Sequence, residues 1–212
     1  LRRLGPRLRG DDVGEKSSAR CRIAPSSCVL EMKSLRTKHP RGGEDTQRSS
    51  AMPKILSKIS PCLWFDKEAE QAMNFYLSVF KNGKAGEILR YGEGAPMPAG
   101  TVLTATFEIE GVSFIALNGG PHFKFNEAIS LSIDCQSQAE VDYYWDALTA
   151  DSGQPSQCGW LKDKFGLSWQ TAPARVIELL QDPDPARAQR AMASMMTMSK
   201  IDIATVEAAA NG

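Results

Sequence analysis

The sequence predicts an α+β fold of two βαβββ modules followed by C-terminal helices. Three observations predict it. Residues 58–65 and 128–135 each alternate apolar and polar side chains, as half-buried strands do, and each runs into a segment of helical spacing. Sliding the chain along itself superimposes Ala69-Glu70 on Ala139-Glu140, Phe75 on Trp145 and Phe65 on Cys135. A second, shorter shift superimposes Gly111–Phe114 on Gly166–Trp169, so one unit occurs twice.

Each element follows in order. In the first strand Ile59, Leu63 and Phe65 fall on one face and Ser60, Cys62 and Trp64 on the other. Asp66 then caps a helix that places Ala69, Ala72, Met73, Tyr76, Leu77 and Phe80 at helical spacing, and Asn82-Gly83 stops it. Three strands follow: AGEILRYG, then TVLTATFEIE and VSFIALN, joined through Gly111 as a tight hairpin. The link LNGGPHFKFNEAIS connects the modules; Gly119 and Gly120 make it a hinge, and Pro121 fixes its exit. In the second copy AISLSIDC, the helix SQAEVDYYWDALTAD and the strands QCGWLKD and GLSWQTA repeat the order in shorter form. From Pro173 the pattern is helical, with Asp184 and Pro185 opening the longest segment and Met192, Met195 and Met196 on one face, as core or subunit interface.

Composition bounds the function. The 212 residues are 42% apolar and 24% charged, with formal net charge +0, which describes a globular chain. No apolar run is long enough to span a bilayer, so a membrane role has no support. Residues 1–51 carry 12 Lys and Arg against 6 Asp and Glu, leaving 13 against 19 for the rest. That mildly acidic body argues against nucleic acid as partner. The five cysteines form no CxxC pair and are odd in number, which points to free thiols in the cytoplasm.

Residues 1–51 are rich in Arg, Gly, Ser and Pro without apolar periodicity, and are expected to be a disordered basic extension outside the native fold. Met52 directly precedes the first patterned segment and is the expected start of translation. The remaining boundaries are 52–118 for the first module, 119–127 for the link, 128–172 for the second module and 173–212 for the helices.

Paired βαβββ modules with a glycine-led last strand resemble the vicinal oxygen chelate superfamily of glyoxalase, bleomycin-resistance and extradiol dioxygenase proteins. More narrowly, WFDKEAEQAMNFYLSVF, LNGGPHFKFNEAIS, VDYYWDAL, CGWLKDKFGLSWQ and DPDPARAQRAM are similar to the PhnB-like group, labelled 3-demethylubiquinone-9 3-methyltransferase domain proteins. The resemblance covers about residues 53–205 and implies two modules whose curved mixed sheets surround a shared cleft, often in a homodimer. In metal-dependent relatives each module offers one ligand from its first strand and one from its last, four residues after the turn glycine. The matching positions here are Ser60, Ile115, Ser130 and Gln170, which hold no imidazole and no carboxylate. A slip in register would bring in Cys62, with His122 and Glu127 just ahead of the second module as further weak metal candidates beside Gln170.

The cleft lining is expected from Ser60, Cys62, Trp64, Phe123, Ser130, Trp160, Lys162 and Gln170, a mixture of apolar walls and few polar groups that suits a small organic ligand. Three readings follow. The first is a small-molecule-binding, homodimeric protein without a strong metal site. The second is a metal-dependent lyase, isomerase or dioxygenase using the same cleft. The third is the methyltransferase of the family label, for which His122, Glu127 or Gln170 would be the catalytic candidates. S-adenosylmethionine has little support, because the glycine-rich YGEGAPMPAG leads into a strand rather than a helix.

Overall fold

A computed structural model describes residues 57–212. The expectations for residues 1–51 and for Met52 lie outside the described residues.

The first module runs β1 (Cys62–Phe65), α1 (Ala69–Val79), β2 (Lys84–Arg90), β3 (Val102–Ile109) and β4 (Val112–Asn118). The second runs β5 (Leu131–Cys135), α2 (Gln138–Thr149), β6 (Gln154–Pro155), β7 (Trp160–Lys162) and β8 (Ser168–Pro173). Each module is a four-stranded sheet with the same order, β1-β4-β3-β2 and β5-β8-β7-β6. In both, the first strand is parallel to the last and the remaining neighbours are antiparallel. The fold is therefore the paired βαβββ α+β architecture that the repeat predicts.

Local differences have identifiable causes. β1 begins at Cys62 because Pro61 has no N–H to give the ladder, although its carbonyl still accepts from Ile115 N at 3.0 Å. Ile59, expected in the core, is instead 86% exposed. Asp66 does not cap α1. Asn118, at the end of β4, accepts from Ala69 N at 2.8 Å and donates through Nδ2 to Val102 O at 2.9 Å. A side chain distant in sequence thus satisfies the helix start, a role local reading gave to Asp66. Between β3 and β4, Glu110 and Gly111 have φ of 47° and 78°, the paired left-handed turn that suits a two-residue hairpin. β6 is cut to two residues.

The core lies between the two sheets. Tyr76 of α1 stacks on Phe107 of the first sheet and also meets Trp169 of the second, while Phe80 stacks on both Trp169 and Tyr144 of α2. Both helices therefore occupy the space between the sheets. Alternation then sets the outer face of each sheet. Leu63, Phe65, Phe114 and Ala116 point inward, and Cys62, Trp64, Ile115 and Leu117 point outward.

Asp163, in the turn between β7 and β8, ties the modules. Its carboxylate accepts from Tyr76 Oη at 2.8 Å, Trp169 Nε1 at 2.9 Å, Phe165 N at 2.9 Å and Leu167 N at 3.1 Å. Helices α3 (Ala174–Leu180), α4 (Pro185–Met195) and α5 (Ile203–Asn211) form a second apolar cluster around Val176, Leu179, Ala191 and Val206. Asp184 does cap α4, accepting from Ala186 N at 3.0 Å. Met195 packs on this cluster, whereas Met192 and Met196 are exposed.

Cys135 is fully buried, and burial, with help from Glu140 and Asp134, pushes its thiol up to about 12. At pH 8 its thiolate is scarce, so alkylation should be about a thousandfold slower than at an ordinary thiol, read by peptide mapping after a native-state iodoacetamide pulse. The unfolded thiol ionises near 9.0, so this residue's contribution to stability is present below that value and is lost as pH rises toward about 12.

Candidate ligand-binding faces

Register aligns the outward side chains in rows. On the first sheet Trp64 lies beside Leu117, Leu117 beside Thr104 and Thr104 beside Leu89. The neighbouring row places Cys62 beside Ile115 and Ile115 beside Thr106. This face is mainly apolar, with two hydroxyls.

The second sheet has a different outer face. Trp160 lies beside Gln170, and Gln170 beside Ser132. In the next row Gln154 lies beside Lys162 and Lys162 beside Ser168. Gln170 Nε2 donates to Ser130 Oγ at 2.8 Å. This face is polar, with one indole ring.

The link visits both faces. Trp64 Nε1 donates to Gly120 O at 2.8 Å, and Phe123 meets the Trp64 ring edge-on with centroids 4.9 Å apart. Further along, Glu127 pairs with Lys162, which holds the Glu127 carboxyl below its usual range. A cleft of about 960 Å³ opens beside this path, lined among others by Trp64, Phe123, Lys124, Lys162 and Phe165.

Gly119 has a role beyond the expected hinge. A Cβ there would lie 2.2–2.5 Å from three carbons of the Trp64 indole, so only glycine lets the link cross that ring. Gly119→Ala should displace Trp64 and cost about 1–3 kcal/mol, the usual price of overpacking. Urea unfolding and the tryptophan emission maximum would read it; an unchanged spectrum and midpoint would contradict the contact.

The structure brings together Cys62 and Trp64 with Phe123, and Trp160, Lys162 and Gln170 with Ser130 and Glu127. It does not bring in Ser60, which precedes β1 and lies 3.1 Å from Ser57 Oγ, or His122, which is exposed in the link. Sequence reasoning missed Leu117, Thr104 and Ser168. Ser168 was legible, being two residues before Gln170 on the same strand face. Leu117 and Thr104 needed the strand pairing.

As a metal site the arrangement fits poorly. Ile115 and Gln170 do stand at outward positions, but isoleucine offers no ligand and Gln170 only a neutral amide oxygen, and among the described residues no three His, Cys, Asp or Glu side chains converge. Cys62, on the outer face, has its thiol pushed up by desolvation, which disfavours the thiolate that a metal requires.

The family model described as 3-demethylubiquinone-9 3-methyltransferase matches residues 57–172. The chain belongs to this family. A solved structure described as a putative 3-demethylubiquinone-9 3-methyltransferase, PhnB protein, from Bacillus cereus is 36% identical, covering 56% of this chain and all of that one, with a TM-score of 0.51. Protein PA1353 from Pseudomonas aeruginosa is 22% identical over 56% of this chain and 98% of that one, with a TM-score of 0.46. A glyoxalase/bleomycin resistance protein from Albidiferax ferrireducens T118 is 15% identical over 53% and 95%, with a TM-score of 0.36. No curated protein matches. The PhnB-like domain thus fills residues 57–172, and α3 to α5 follow it.

Proposed function

We propose that this PhnB-like chain binds a small organic ligand on the outer sheet faces, in a cleft closed by a second copy of the same chain. The observation that carries the reading is the contrast between those faces. One presents Trp64, Leu117, Ile115 and Cys62; the other presents Trp160, Gln170, Ser132 and Lys162. A ligand pocket needs both, apolar walls for affinity and a few polar groups for orientation. Within one chain the helices lie between the sheets, so the two linings look outward, and of the residues just named only Trp64 and Lys162 border a common cleft. A two-fold pairing sets the first sheet of each copy against the second sheet of its partner, and makes two equivalent clefts. Among the described residues no helix is long and apolar enough to cross a membrane.

The methyltransferase of the family description would need S-adenosylmethionine. The glycine-rich segment from Tyr91 to Gly100 joins β2 to its antiparallel neighbour β3 and leads to no helix, so it does not supply the usual cradle. Of the candidate bases, Glu127 is engaged by Lys162. Binding without chemistry is the better-supported reading.

A neutral fluorescent ligand, N-phenylnaphthylamine, tests it. The full chain should bind the dye with an affinity on the order of micromolar, and Cys62→Glu or Trp160→Ala should weaken it by more than about tenfold. Equal affinity in parent and variants would sink the placement.

A further inference from the structure

A smaller cavity of about 130 Å³ opens on the outer face of the second sheet, lined by Glu127, Gln154, Trp160, Lys162 and Ser168 with the backbone around Pro155. The strand register puts Gln154, Lys162 and Ser168 in one row across β6, β7 and β8. Ser168 is 1% exposed, and its Oγ has no hydrogen-bond partner. Buried hydroxyls are nearly always paired, so an orphan beside a cavity marks a place where a hydrogen-bond partner, such as an anion's oxygen, is missing. The other polar groups of the row are the Lys162 ammonium, which only donates, and the Gln154 amide, which both donates and accepts. The one acid in the lining is Glu127, and the sheet does not supply it. It comes from the link and lies on Lys162.

We infer that the Lys162–Ser168 pocket is an anion subsite, and that Glu127 is an internal stand-in for the acid group of the ligand. This rests on the proposed cleft and narrows its ligand to small organic acids, carboxylates or phosphonates, whose ring or chain extends over Trp160. The incoming anion takes Lys162 and the Ser168 hydroxyl, and Glu127, 64% exposed, swings into solvent. A tethered carboxylate competes at an effective concentration on the order of millimolar. A bare anion therefore binds weakly to the parent, and a ligand with further contacts displaces Glu127 readily. No covalent step is involved.

Inorganic phosphate is the probe, titrated into the full chain and followed by amide chemical shifts in the second module. Glu127→Gln removes the competing charge and should tighten phosphate about tenfold. Lys162→Met should abolish the response. Ser168→Ala should weaken phosphate several-fold while leaving the urea midpoint unchanged or raised, which a merely structural serine would not do. Phosphate binding no tighter in Glu127→Gln than in the parent, or unchanged in Lys162→Met, overturns the subsite. Absence of any phosphate response also overturns it, and if N-phenylnaphthylamine still binds, the cleft reading survives that loss. Failure of the dye in the parent would defeat the cleft reading itself.

Discussion

Replacing Asp163 with Ala should remove about 3–5 kcal/mol of stability, because it strands four donors, two of them the buried Tyr76 hydroxyl and Trp169 indole N–H. That is a large share of the 5–15 kcal/mol that holds an ordinary domain folded. Tyr76→Phe is the control. It removes one donor and leaves the carboxylate three, so about 1 kcal/mol should be lost. Urea unfolding of both variants separates the two cases, and equal losses would contradict the network. The pH dependence has a definite sign. Burial raises the Asp163 carboxyl above the 3.8 of a free aspartate despite four donors that pull it down. The folded chain then keeps a proton that the unfolded chain has released. Stability from this group is full below about 3.8 and falls as pH rises through the raised value, a slope that Asp163→Asn should lack.

On the proposed two-fold pairing, Leu89→Glu should convert the dimer to monomer, with its dissociation constant raised by more than about a hundredfold. Leu89 ends the apolar row that runs from Trp64 through Leu117, and it is 54% exposed in the single chain. A carboxylate there costs the isolated fold little, since exposed positions tolerate change within about 0.5 kcal/mol. Buried against a second copy, the same unpaired charge costs several kcal/mol. Sedimentation equilibrium with circular dichroism reads both. A variant that stays dimeric would remove this face from the interface, and one that unfolds would show that Leu89 supports the single chain.

Much of this was legible in the sequence for a physical reason. Two-residue alternation marked β1 and β5, and the repeat marked β8 and carried the module order even where β6 shrinks to Gln154 and Pro155. Glycine-led turns fixed the phase of the last strands, so Ile115 shares a face with Cys62 and Gln170 with Ser132, although the sequence reading turned those faces inward toward a cleft. What was not legible depends on contacts between segments distant in sequence. Asn118 capping α1, Asp163 gathering donors from both modules, and Trp64 crossing Gly119 all pair residues that local patterning cannot connect. Ser60 was misplaced because Pro61 ends the strand before reaching it. The outward direction of both linings was hidden for the same reason. It follows from helices packed between the sheets, which only the Tyr76, Phe80 and Trp169 contacts reveal.

Each proposed ligand cleft joins the first sheet of one copy to the second sheet of another. Mixing tests it most directly. Cys62→Glu spoils one half-site and Trp160→Ala the other, so neither variant alone should bind N-phenylnaphthylamine appreciably. After subunit exchange in an equimolar mixture, heterodimers carry one doubly altered cleft and one intact cleft. About a quarter of the parent binding capacity should return. A mixture that binds no more dye than its separate components would contradict the shared cleft.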